Sequence, residues 1–221
     1  MDLVIDMDDE LMESYVKYGI KSSRFLKSTC FAMLLINIPL AVIALNMYSD
    51  IALIGVVAST LILNVITAFI FYAKWSVISG FLSQATQGIC LTIIYDCFTL
   101  SLYKMLNAFV WSDYAVTIAL QIIAVPFVLI IVILSARKHD KNKVPKVLKI
   151  GLSAGTSIYA VSSIISKVFL ANLSINVVII IMNIILNVVI FLMWYVVLSA
   201  IYRAYLVKRY KLNITLDPSI L

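Results

Sequence analysis

Two ionisable side chains, Asp96 and Lys167, lie inside long apolar stretches of this sequence. A charged side chain at the centre of a bilayer costs about 3 kcal/mol on insertion scales, so such residues mark a buried ion pair or a wet path. By the topology derived below, both fall in the outer halves of their spans, at similar depth. They can therefore pair and fix helix register. Lys104 and Asp113 lie just beyond and can join them. The alternative chemistry is a charged constriction in a conduction or substrate path. A third reading has Lys167 snorkelling to the surface.

Other polar residues in the apolar stretches form stripes. Ser153, Thr156, Ala160 and Ser163 lead toward Lys167 and can wet a path. Gly151 and Gly155 form a G-x-x-x-G pair, a weak packing motif by itself. Asn172, Asn176, Asn183 and Asn187 recur at spacings of four, seven and four, which keeps them on one helix face. Membrane amides bond across helices for about 0.6–2 kcal/mol each. This stripe is a self-association seam, a pore lining, or glue between helices of one subunit. Ser76, Gly80, Ser83, Gln87, Cys90, Cys97 and Ser101, with Ile94 interposed, form a small-residue seam that suits close helix packing. Thr92, Asp96, Thr99 and Tyr103 occupy the adjacent face. The pore or substrate-path candidates are thus Asp96, Lys167, Ser163, Thr156 and Gln87.

Enzyme chemistry finds no such support, and the chain is expected not to be an enzyme. The single histidine, His139, sits in a basic loop, so no span offers a serine–histidine dyad or a histidine metal site. Cys30, Cys90 and Cys97 lack C-x-x-C spacing, which argues against a zinc site or disulfide framework. Tyr95-Asp96 resembles half of an intramembrane aspartyl protease site, but the G-x-G-D segment required on another span is missing. There is no phosphate-binding glycine loop. No catalytic residue, metal or cofactor is expected.

The elements that must position these residues are membrane helices. The chain of 221 residues is 63% hydrophobic, against about 45–50% in soluble domains. Its mean hydropathy is +1.08. The sequence predicts an all-α polytopic membrane protein with six transmembrane helices, at about 29–47, 51–73, 80–103, 114–136, 150–170 and 173–203. The first five are near the 20 residues that cross about 30 Å of hydrocarbon. Span four contains Pro126, which predicts a kink. Span six is longer than a bilayer needs and must tilt or project. Residues 1–28 form an amphipathic lead, with acidic residues first and cations after. Leu11, Tyr15, Tyr18 and Phe25 recur at helical spacing, predicting a helix lying at the membrane interface. The six-helix domain covers 29–206, and 207–221 are a cytoplasmic tail. The acidic, polar start predicts no cleavable signal peptide.

Charge sorts with this topology. All but two of the 17 lysines and arginines fall before span one, between spans two and three, between spans four and five, or toward and beyond the end of span six. Cationic loops resist translocation, so these segments and both termini are expected inside. The net charge of +6 then reflects topology and attraction to anionic lipids at the cytoplasmic face, and no nucleic acid is expected. Compact loops and the Lys and Ile content point to a bacterial cytoplasmic (inner) membrane.

Three functions fit. The first is a homo-oligomeric channel or pore, since few helices enclose little volume alone. The second is a small-molecule carrier or permease subunit, disfavoured by only 6 Gly and 4 Pro where broken helices need both. The third is a membrane sensor or anchor with a cytoplasmic protein partner, as in a bacterial stress or antiphage defence system. The ion-pair reading predicts that Lys167→Met lowers thermal stability in detergent. It further predicts that adding Asp96→Asn recovers much of the loss. A double variant no better than the additive sum refutes the pairing.

Overall fold

The computed structural model describes residues 9–18, 20, 23–47, 51–105, 111–137, 175–212 and 214. Among the described residues every regular element is an α-helix. In order these are α1 (Asp9–Lys17), α2 (Ser23–Met47), α3 (Ile51–Ala73), α4 (Val77–Met105), α5 (Trp111–Arg137) and α6 (Ile175–Tyr210). Long helices follow from the composition. The 23 residues of α3 include no charged side chain, and in lipid each backbone N–H and C=O must be bonded within the segment. Among the described residues four stretches are long and apolar enough to cross a membrane: Leu26–Ile43, Ile51–Ala73, Val77–Leu100 and Asn187–Tyr210. Gln121–Arg137 of α5 is a shorter apolar stretch. α5 itself has 27 residues and runs through Pro126 as one helix. The expected span at 150–170 lies outside the described residues.

Side chains at the ends set the boundaries. Ser76 and Ser79 form a reciprocal cap on α4. The Ser79 backbone N–H donates to Ser76 Oγ (3.0 Å), and the Ser76 N–H donates to Ser79 Oγ (2.6 Å). Such a box satisfies two otherwise orphaned donors. α6 ends in a Schellman arrangement. Lys211 has φ of 51°, and the Leu212 N–H donates back to the Val207 carbonyl at 3.2 Å.

α4 is the centre of the bundle. It packs against α2, α3 and α6; α2 and α3 form a neighbouring pair, and α5 lies against α6. Two glycines permit the closest approaches. A Cβ on Gly80 would lie 2.7 Å from Leu26 Cδ2 of α2, and one on Gly88 would lie 2.5 Å from Val197 Cγ2 of α6. The seam foreseen on this helix is indeed buried at Gly80, Ser83, Gln87, Cys90, Ile94 and Cys97. Thr92 and Thr99 of the adjacent face are buried too. The outward faces are apolar. Phe69 is 75% exposed and Ile122 67% exposed, as suits a surface wetted by lipid.

The structure changes the reading of the N-terminal lead. Two helices, not one, cover the described part of 1–28, and Arg24 and Lys27 belong to the first turns of α2. The apolar face of α1 packs on the bundle. Met12, Tyr15 and Val16 are buried in a cluster with Phe81 of α4, Val132 of α5, and Tyr202 and Leu206 of α6. The burying pattern is therefore Met12, Tyr15 and Val16, with Leu11 only half-buried. The Arg203 guanidinium sits 5.3 Å from the Tyr15 ring and 5.9 Å from that of Phe81. Burial pushes the Tyr15 phenol above its ordinary pKa, and the Arg203 charge opposes part of that rise.

Because Val197 is β-branched and stiff, Gly88→Ala should destabilise the protein by about 1–3 kcal/mol. Gly55 of α3 has nothing within 4 Å of an added Cβ, so Gly55→Ala should stabilise by up to about 1 kcal/mol. Melting in detergent by circular dichroism checks both. A Gly88→Ala protein that melts with the parent removes the close approach as a determinant.

Candidate functional site

Buried hydroxyls and buried amides behave differently in this bundle. The buried threonines donate to carbonyls of their own helices, Thr92 also reaching Met193 Sδ of α6 at 3.9 Å. Thr60 Oγ1 donates to the Val56 carbonyl (2.7 Å), Thr92 to that of Gly88 (2.9 Å) and Thr99 to that of Tyr95 (2.9 Å). A threonine bonded this way is compatible with an apolar setting. It offers little to a passing solute.

Two amides, Asn37 and Gln121, cross between helices. Asn37 of α2 is fully buried and donates from Nδ2 to the Gln87 carbonyl of α4 at 3.2 Å. Gln87 Nε2 donates to Ser83 Oγ one turn away, also at 3.2 Å. Asn37 Oδ1, Gln87 Oε1 and both polar atoms of Asn64 on α3 are buried without a partner among the described residues. Such atoms carry a desolvation cost of about 1–3 kcal/mol each unless water or a ligand satisfies them. They mark the interior of the α2–α3–α4 group as its polar layer.

Asp96 also sits on α4. Its Oδ1 accepts from Gln121 Nε2 of α5 at 2.9 Å. Among the described residues the group bonded to this carboxyl is thus a neutral amide. A carboxyl held in an apolar bundle by a neutral donor keeps its capacity to take up a proton or attract a cation.

Next to the amides lies a cavity of about 850 Å³ between α2, α3 and α4. Lys27, Tyr72 and Trp75 stand at one end, and Ser83 and Gln87 at the other. The Lys27 ammonium is 5.0 Å from the Trp75 ring centroid and 5.8 Å from that of Tyr72. Cys30 also lines it, its thiol donating to the Gly80 carbonyl at 3.5 Å.

The residues singled out from sequence separate accordingly. Gln87 and Asp96 are in the bundle, on one helix, nine residues and about 14 Å apart along its axis. Asn176, Asn183 and Asn187 belong to α6, with Asn187 half-buried. Thr156, Ser163, Lys167 and Asn172 lie outside the described residues, so the pairing of Asp96 with Lys167 does too. Asn37, Asn64, Gln121 and the Lys27–Trp75 contact were missed by a search for stripes. Their signal was a single amide isolated in an apolar run, as in Leu35-Ile36-Asn37-Ile38 and Ile62-Leu63-Asn64-Val65.

Gln121→Leu leaves the Asp96 carboxyl without its interhelical donor. It should cost about 1–2 kcal/mol of stability, and Asp96→Leu in the same chain should cancel most of that loss. Denaturation of the two single variants and the double variant in detergent measures the coupling, and additive losses dismiss the bond as an energetic contact. Compared with known proteins, the chain matches no family model, no curated protein and no solved structure.

Proposed function

We propose that this chain is a six-span membrane protein with both termini at the cytoplasmic face, and that it passes cations or protons as a homo-oligomeric channel or pore. The observation that carries this reading is the Asp96 carboxyl, half-buried between α4 and α5 and bonded, among the described residues, to a neutral amide. Structural ion pairs neutralise such a charge, whereas conduction and proton-transfer paths keep it available. Two further features support assembly from several copies. The asparagines of α6 recur along a helix that extends well beyond one bilayer, and α3 and α5 expose broad aliphatic faces. The setting we propose is a bacterial cytoplasmic membrane, on the strength of the charge sorting.

A second reading makes the chain a membrane subunit that answers to a cytoplasmic protein, such as one of a stress or antiphage defence system. It is favoured by the docking of α1 on α6. That contact places exposed Asp9 and Glu10 on one element and exposed Lys208 and Arg209 on the other.

Native mass spectrometry together with cation flux into proteoliposomes tests the proposal. A closed ring of four or more copies is expected, with flux that falls at least roughly tenfold in Asp96→Asn, the loss expected when a path forfeits a charged station. A monomer or dimer that conducts nothing defeats the channel and leaves the partner-dependent reading.

A further inference from the structure

We infer that the cavity between α2, α3 and α4 holds one anionic phospholipid, its headgroup phosphate on Lys27 and one acyl chain along the groove. The inference depends on the membrane embedding proposed above but not on conduction. Charge is the first argument. The Lys27 ammonium rests between the faces of Trp75 and Tyr72, and among the described residues no carboxylate is paired with it. Aromatic faces orient a cation and leave its full charge to an incoming anion. A basic pocket between membrane helices is a recognised setting for anionic headgroups.

Shape is the second argument. The walls that follow Lys27 inward are apolar, and Phe31 and Phe69 are open on the lipid side while Leu34 and Ala68 are half-buried. A chain can therefore slide in from the bilayer without crossing water. The depth fits one leaflet. Lys27 is ten residues from Asn37, whose amide bonds the Gln87 carbonyl at the floor. Ten helical residues rise about 15 Å, half of the hydrocarbon thickness. The volume of about 850 Å³ exceeds what one side-chain packing defect leaves and falls within the range of ligand sites.

The floor sets the limit of penetration. Gln87 lines the cavity there, and its Oε1 is buried without a partner among the described residues, a polar end that an acyl chain does not pass. Gln87 is thus a boundary of the site and makes no contact with the headgroup.

The test is titration of the detergent-held full chain with dioleoyl phosphatidylglycerol or phosphatidylcholine, read by native mass spectrometry. One phosphatidylglycerol per chain should resist release. Lys27→Gln and the groove-filling Ala68→Phe should each weaken it by roughly fivefold, whereas Lys74→Gln, an exposed cation on the same side, should change it less than about twofold. Equal retention of the two lipids overturns the site, as does an equal loss in Lys74→Gln, which marks diffuse attraction. Displacement by tail-less glycerol phosphate also overturns it, in favour of a soluble anion. If Ala68→Phe fails to fold, a phosphatidylglycerol carrying a diazirine on its acyl chain decides. Crosslinks at 31–34 and 65–69 uphold the groove, and crosslinks spread equally over 122–134 reject it. Failure of the parent chain to enter nanodiscs rejects the membrane embedding itself, whereas entry without lipid preference rejects only this site.

Discussion

The close approach of α4 to α2 and α6 is the constraint on which the rest of the bundle depends. Lipid tails are as apolar as leucine, so helices in a membrane gain little from hiding apolar surface from one another. What remains is van der Waals contact and a few interhelical hydrogen bonds. Gly80 and Gly88 let the Leu26 and Val197 side chains seat directly on the α4 backbone, near enough for both. Moving either neighbour outward by the width of a methyl group stretches the Asn37–Gln87 bond on one side and opens the α4–α6 contact on the other. The position of α4 in turn decides where Asp96 meets α5 and how wide the cavity beside α2 is.

The same constraint explains why polarity is tolerated where it is. Threonines on α3 and α4 return their protons to the preceding turn and behave as shaped aliphatic groups. Amides have two polar ends, and one helix seldom satisfies both. Asn37, Asn64 and Gln87 therefore carry information that the threonines do not. Among the described residues their unpartnered acceptors and donors make the α2–α3–α4 interior a buried polar layer.

Helical class and the extent of most described helices were legible in the sequence, because period and apolar length depend on local composition. Span two is expected at 51–73 and α3 occupies those residues. Two of the helix ends were less legible. α2 begins at Ser23 and α6 continues to Tyr210, since amphipathic turns prolong a helix beyond its apolar run when they have something to pack on. For α6 that something is α1, a tertiary contact that periodicity cannot announce. The small-residue seam of α4 was visible because it is a repeat along one helix. The Asp96–Gln121 bond was not, because it joins isolated residues from two helices whose pairing is set elsewhere.

The length of α6 has a mechanical consequence. Its 36 residues make a rod about 54 Å long, nearly twice the hydrocarbon thickness. A rod of that length converts angle into distance: a change in tilt of about 10° swings one end relative to the other by roughly 9 Å. Bilayer thinning or stretching changes the tilt that a long helix prefers. α1 is packed on the terminal turns of this lever through Tyr15 and Tyr202, whose rings lie 6.2 Å apart edge to face. Any leaning of α6 would therefore act first on the nine-residue α1 through this contact.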